Sequence, residues 1–264
     1  MGSPVGPSLV RRIPYGFFSL LFPDECRICR KPLEEFTRVP VCRQCLAEPA
    51  PMAAEHFCAS CRTPFLNRFP LDEDGRCALC RTGALGFDAA YCFGSFEGAL
   101  RELIHLFKYQ RMKPLAKPLA GYLAAALPRD ERFDIAVPMP LHWRRQWQRG
   151  FNQSELLARA VARCFHMRVV NAVRRTRATA TQAGLSNARR RENVSGAFRV
   201  TKPRWIEGRR VLLIDDVMTT GATASACARA LKRAGAKSVT LLTVARVDRR
   251  VVEPEKLARH AEVA

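Results

Sequence analysis

Past residue 88, short apolar runs alternate with longer amphipathic stretches. DAAYCFGSF (88–96) predicts a strand. ALRELIHLFKY (99–109) and LAKPLAGYLAAAL (115–127) predict helices, the second with Pro118 in or near its first turn. FDIAVPMP (133–140) predicts a strand ending in a Pro-rich turn, NQSELLARAVARCF (152–165) a helix, and RVVNAV (168–173) a strand. Residues 174–197 are polar, basic and without apolar period, which predicts a loop too long for a passive connector. VLLI (211–214) has the length and branching of a buried parallel strand. ATASACARALKRAG after it predicts a helix of small residues that Gly235 stops, and SVTLLTVARV (238–247) predicts a last strand. Strand and helix alternate, so the fold class is α/β with a mainly parallel sheet.

The stretch VLLIDDVMTTGATASA (211–226) carries the chemistry. It reads as strand, tight loop and helix, and ligands of open α/β sheets sit beyond the carboxyl ends of the strands. A loop of small residues before a helix offers backbone N–H groups and the positive end of the helix dipole. Thr219, Thr220 and Thr223 add hydroxyl donors, which makes a cradle for a phosphate monoester. Asp215 and Asp216 would repel a phosphate but accept hydrogen bonds from hydroxyls. A ribose 5-phosphate satisfies both halves. LLIDD also looks like the magnesium-binding strand of a P-loop NTPase, but the chain has no Gly-Lys pair for the loop that mechanism needs. The blander alternative is an acid pair that only caps the following loop.

Charge narrows the partners. The 264 residues have a formal net charge of +20, which points to polyanions. Residues 1–85 hold 11 Lys and Arg against 9 Asp and Glu, whereas 142–212 alone hold 17 against 3. All three tryptophans, Trp143, Trp147 and Trp205, lie in that basic stretch. Basic grooves with stacking aromatics bind single strands without sequence preference. Trp143 and Trp147, four apart, fit equally well as packing against a sheet edge.

The N-terminal third differs in kind. LVRRIPYGFFSLLFP (9–23) has two arginines before apolar residues, but Pro14 and Gly16 break it and no small-x-small site follows. It reads as a short amphipathic segment, and the expected address is the cytoplasm, with no membrane span. Eight of the 11 cysteines form four CxxC pairs: Cys26/Cys29, Cys42/Cys45, Cys58/Cys61 and Cys77/Cys80. Two CxxC turns close a tetrahedral site with no open position, so two structural zinc ions are expected, each holding a ribbon too small for a hydrophobic core. Sequential pairing keeps each loop short, and cross-braced pairing stays open. A disulfide framework is disfavoured in the cytosol. Cys92, Cys164 and Cys227 read as buried filler.

VLLIDDVMTTGAT resembles the phosphoribosyl-pyrophosphate motif of type I phosphoribosyltransferases. LIHLFKYQRMKPLA (103–116), VPMPLHWRRQWQRGFNQSELLA (137–158), TQAGLSNARRRENVSGAF (181–198) and the four CxxC pairs are similar to the ComF/GntX family. The likeness covers about residues 18–247. Gln110-Arg111 departs from it, since members often carry a glycine soon after Lys-Tyr. The resemblance implies a type I phosphoribosyltransferase-like domain over 86–250, with helices on both faces of the sheet. A double zinc ribbon over 21–85 would precede it, flanked by an N-terminal segment (1–20) and a C-terminal tail (251–264).

The resemblance also implies roles. Asp215 and Asp216 would take the ribose hydroxyls, and Thr219, Thr220, Gly221, Ala222 and Thr223 the 5′-phosphate. Pro138, Met139 and Pro140 would form the pyrophosphate loop, with magnesium held mostly by the ligand. Residues 175–197 would close over the site, with Thr181, Gln182, Arg190 and Asn193 at the family-pattern positions. Cations near the leaving pyrophosphate would help transfer. Lys108, Arg149 and Arg190 are the candidates, although each arginine singly also fits a solvated basic face. Asn152 could cap a helix or touch the ligand, and the isolated His105 and His142 are given no catalytic part. Two functions stay open: a phosphoribosyltransferase acting in natural competence and DNA uptake, or a single-stranded DNA-binding protein whose pocket is a sensor or vestige. A pure interaction module that binds a helicase or pore protein would leave the phosphate loop unexplained.

Overall fold

The structure, a computed structural model, describes residues 25–33, 38–65, 68–83, 85–176 and 196–247. The expected N-terminal segment and C-terminal tail lie outside these, as do Thr181, Gln182, Arg190 and Asn193. The described chain forms two compact units, Met1–Glu48 and Pro49–Ala264, so the 21–85 segment is shared between them. Among the described residues no helix is long and apolar enough to cross a membrane.

Among its described residues the first unit contains a short helix, α1 (Arg43–Ala47), and a bridge between Glu25 and Pro32. The second begins with a small hairpin, β1 (His56–Phe57) and β2 (Pro64–Phe65), and a one-turn helix, α2 (Ala78–Arg81). Then come β3 (Ala89–Ser95), α3 (Gly98–Tyr109), α4 (Ala116–Ala126), β4 (Ile135–Pro138), α5 (Trp143–Arg149), α6 (Gln153–Cys164) and β5 (Arg168–Val169). A hairpin of β6 (Val173–Arg175) and β7 (Phe198–Val200) precedes β8 (Arg210–Met218), α7 (Ala222–Arg233) and β9 (Ser238–Arg246). The main sheet has the order β3-β9-β8-β4-β5, and every pair in it is parallel.

Burial explains the order. Val211, Leu212, Leu213 and Ile214 of β8 are all fully buried, as a central strand covered on both faces must be. Successive side chains point to opposite faces. Val211 and Leu213 pack with Ala226, Ala230 and Leu231 of α7, while α4 and α6 cover the other face. The small residues of α7 let its backbone approach the sheet closely, and Gly235 ends the helix with φ +88°.

At the amino ends of the strands, carboxylates are tied to backbone. Asp134 accepts the Arg210 N–H at 2.7 Å and the Arg210 guanidinium at 2.8 Å. The Arg210 bonds hold the Asp134 carboxyl below the usual range. Asp88 accepts the Val239 N–H at 2.8 Å. This fixes the strand register at one edge and leaves the other, carboxyl edge for ligand.

Two elements are finds of the structure. HWRRQWQRG contains the helix α5, whose polar sequence shows no apolar face. RVVNAV does not form one strand: Arg168–Val169 joins the main sheet, and Val173 starts the β6–β7 hairpin instead. Its partner FRV lies across residues 177–195, and the Thr176 N–H donates to the Ala197 carbonyl at 2.8 Å. Three-residue strands that pair at such distance leave no local period to read.

Candidate functional site

A cavity of about 360 Å³ opens at the carboxyl ends of β3, β4, β8 and β9. Its size falls in the usual range of small-ligand pockets, roughly 300–1,000 Å³. Asp215 and Asp216 stand in one wall at the end of β8, with Lys108 from the last turn of α3 beside them. Met139, Pro140 and Leu141 come from the turn after β4, Arg149 from the end of α5, and Arg175 from β6. Thr219 and Gly221 enter from the loop before α7, and Thr223 from its first turn.

The two acids are held differently because the strand turns them to opposite sides. Asp215 Oδ1 accepts the Ser154 hydroxyl at 2.9 Å and the Asp216 N–H at 2.9 Å. Asp216 Oδ1 pairs with the Lys108 ammonium at 2.8 Å, both side chains largely buried. Burial pushes the Asp215 carboxyl up to about 7, and the Asp216 charge adds to the shift. The Asp216 N–H, Lys108 and the Ser154 hydroxyl pull the other way. Each acid uses Oδ1 in these contacts, and a carboxylate oxygen pair has about four acceptor sites, so both can receive ligand hydroxyls.

Gly221 makes the loop. It is the N-cap of α7 with φ +76°, a left-handed conformation that a side chain would strain. The turn there brings the start of a 12-residue helix, with the positive end of its dipole, to the cavity. The Ala222 N–H lies 3.4 Å from the Thr220 hydroxyl. With Lys108, Arg149 and Arg175 around it, the cavity is cationic except at the acid pair.

Most of the sequence-derived residues therefore meet at one place: Lys108, Met139, Pro140, Arg149, Asp215, Asp216, Thr219, Gly221 and Thr223 all line the cavity. Pro138 is the last residue of β4, paired with Ile214, and is not among the lining residues. Thr220 and Ala222 face a second cavity on the outer side of the loop. Asn152 caps α6, its Oδ1 accepting the Ser154 N–H at 3.1 Å, and its Nδ2 donates to the Met139 carbonyl at 3.0 Å. It so ties the cap of α6 to the Pro-rich turn. Ser154, Arg175, Phe96 and Thr243 were not singled out from sequence. Ser154 was legible only as part of RGFNQSELLA, and Arg175 only as one arginine among many.

The eight paired cysteines gather into two sequential tetrads, Cys26/Cys29/Cys42/Cys45 and Cys58/Cys61/Cys77/Cys80, with all sulfurs of each within 4.8 Å of one another. Sulfur separations of 3.7 Å (Cys29–Cys42), 3.5 Å (Cys58–Cys80) and 3.8 Å (Cys61–Cys77) match the edge of a tetrahedron with bonds of about 2.3 Å, near ~3.8 Å. The tetrads repeat each other. In both, the first CxxC is followed by an arginine in the left-handed region, Arg30 and Arg62, whose N–H donates to the carbonyl of Cys26 or Cys58 at 2.9 Å. In both, the third cysteine caps a short helix, and its N–H donates to the first sulfur at 3.2–3.3 Å. At Cys26 burial is outweighed by the backbone N–H donors, that of Cys42 among them, which bring the thiol down to about 6, towards the thiolate that ligates metal. The remaining cysteines differ: Cys227 is buried, Cys92 partly so, and Cys164 is exposed because α6 turns it to solvent.

The basic stretch presents its tryptophans outward. Trp143 and Trp147 on α5 are 65% and 84% exposed, so they do not pack against the sheet edge. Trp205 stacks under the Arg168 guanidinium at 3.9 Å. Arg149 lies over the Tyr109 ring at 5.3 Å, and Tyr109 is itself exposed.

Residues 152–262 match the phosphoribosyl transferase domain family. The DNA utilization protein YhgH of Escherichia coli (strain K12) is 33% identical over 235 residues, covering 86% of this chain and 99% of that protein. Competence protein F of Haemophilus influenzae is 32% identical over 178 residues, 64% of this chain and 78% of that protein. Competence protein ComFC of Bacillus subtilis is 27% identical over 240 residues, 86% of this chain and 87% of that protein. Among solved structures, a glutamine phosphoribosylpyrophosphate amidotransferase from B. subtilis is 21% identical with a TM-score of 0.35. That likeness covers 49% of this chain and 26% of the other, too little to bear on function.

Proposed function

Because the chain belongs to the ComF family of phosphoribosyltransferase-domain proteins, we propose that its cavity binds phosphoribosyl pyrophosphate with magnesium and that the protein acts in DNA uptake. The observation that carries this is the placement of Asp215 and Asp216 beside the Gly221-capped start of α7 in one cavity. Thr219, Thr223 and the N–H groups of the loop hold the 5-phosphate. Asp215 and Asp216 accept the ribose 2- and 3-hydroxyls, with Ser154 and Lys108 fixing their orientation. The turn at Met139–Leu141, with Arg149 and Arg175, faces the pyrophosphate, where fixed positive charge stabilises a departing diphosphate. Magnesium, when bound, neutralises diphosphate oxygens and is held mostly by the ligand itself. Zinc at the two tetrads supplies structure, since four thiolates leave no open position. The tetrads suit the cytoplasm, where thiols stay reduced.

Calorimetry with phosphoribosyl pyrophosphate and magnesium tests the reading. Two lost charge-assisted hydroxyl contacts are worth roughly 1.5–3 kcal/mol each. Asp215→Ala with Asp216→Ala should therefore weaken binding by about two to four decades while the chain stays folded. An unchanged dissociation constant would overturn it.

A second reading is supported by the exposure of Trp143 and Trp147 on the basic helix α5. Exposed aromatics beside cations form a stacking platform for single-stranded DNA. That surface is compatible with the names of the relatives, and it makes DNA a further partner rather than an alternative to the cavity ligand.

A further inference from the structure

The second cysteine tetrad belongs to the same compact unit as the sheet, and its residues lie against the outer side of the phosphate loop. Leu79 stands on α2 between the ligands Cys77 and Cys80. Its Cδ1 is 3.0 Å from where a Cβ on Gly221 would be, and the Phe87 ring is at 3.7 Å. Gly221 is thus confined twice, by its backbone conformation and by Leu79. Five residues past Arg81, Gly86 presses on α7 itself: a Cβ there would meet the Ser225 carbonyl at 2.0 Å and the Arg229 nitrogen at 2.9 Å. On the far side Arg246, which pairs in register with Met218, lays its guanidinium over Phe65 of β2 at 4.0 Å. The Cys61 carbonyl accepts the Ala90 N–H of β3 at 3.0 Å.

Between these contacts the loop borders open space at Thr219 and Thr220. A cavity of about 530 Å³ separates Thr219 and Thr220 from Phe65, Phe69 and Thr82. A loop beside a void has few partner atoms on that side. Leu79 and Phe87 line this cavity as well, and both approach Gly221.

We propose that the second tetrad is the outer wall of the phosphate loop, so that metal at Cys58, Cys61, Cys77 and Cys80, acting through Leu79, sets the loop shape that receives the phosphate. Leu79 is then a positioning residue, and the second metal governs ligand affinity as well as its own ribbon. The ligand part of this rests on the function proposed above, while the loop part does not.

The test uses the full chain and hydrogen exchange of the amides at 219–224, with metal content and phosphoribosyl-pyrophosphate affinity measured alongside. Leu79→Ala should keep both metals, speed exchange of these amides by at least about tenfold, and weaken the ligand by a similar factor. Leu79→Met, which refills the contact, should restore both. Chelating the metal from the wild-type chain should speed the same amides before those of β4 and β8. Unchanged exchange at 219–224 in Leu79→Ala and after chelation would overturn the proposal. If Leu79→Ala loses metal, the chelation arm decides. If the wild type binds no phosphoribosyl pyrophosphate, the function reading fails, and exchange alone decides this one.

Discussion

Asp215→Asn should make the ligand-free protein more stable than the wild type by a margin that grows as pH rises from about 4 through about 7. The amide keeps the shape and can still accept the Ser154 hydroxyl and the Asp216 N–H through Oδ1. What it removes is a negative charge that burial and Asp216 both oppose. The folded carboxyl sits at about 7, against an unfolded value near ~3.9. A raised folded value means that the stabilising contribution is complete below about pH 4 and is lost as pH rises through about 7. Between pH 5 and pH 8 an aspartate titrating alone would lose roughly 2–3 kcal/mol, at about 1.4 kcal/mol per pKa unit. The Asp216 and Lys108 charges are already contained in that folded value. For a unit of this size the loss is about 4–12 °C in melting temperature. Thermal melts of both proteins at pH 5 and pH 8 read the effect. The variant should gain on the wild type between the two pH values. A difference in melting temperature that does not change with pH would refute the reasoning.

Three further outcomes follow from the geometry. Metal analysis should find about two zinc ions per chain, lost only when the paired cysteines are replaced; no metal and eight thiols in disulfides would remove the tetrads from the account. Gly86→Ala should cost about 3 kcal/mol or more in urea unfolding, because its Cβ would fall 2.0 Å from the Ser225 carbonyl oxygen and backbone must shift; a loss below about 0.5 kcal/mol would show that α7 yields there. Trp147→Ala should remove roughly 1–3 kcal/mol of single-stranded DNA affinity in fluorescence anisotropy, on top of a salt slope of about 0.7 per phosphate contacted. Equal affinity for the variant would make α5 a bystander.

Most of the sheet was legible because central parallel strands are written as unbroken apolar runs. VLLI and SVTLLTVARV appear as β8 and β9, and the acid pair falls at the strand end where a ligand belongs. The cysteine spacing likewise gives both tetrads in sequential order. What was not legible depends on contacts distant in the chain. The hairpin of β6 and β7 pairs Val173 with Val200, and α5 has no apolar stripe to announce it. Ser154 became a site residue only because α6 starts beside β8, 61 positions away in sequence. The domain boundary set at residue 85 follows a shift in composition. The compact units divide after Glu48, and within the second unit Leu79 approaches Gly221 while Gly86 lies against α7.

The central claim is that the acid pair reads a ribose diol while the loop holds a phosphate. Titrating the protein with ribose 5-phosphate and with 2-deoxyribose 5-phosphate tests it most directly, because the two ligands differ by one hydroxyl. A lost charge-assisted hydrogen bond of roughly 1.5–3 kcal/mol predicts that the deoxy sugar binds about 10- to 150-fold more weakly. The preference should collapse in the chain carrying both Asp215→Ala and Asp216→Ala. Equal affinity of the wild-type protein for the two sugars would contradict the account.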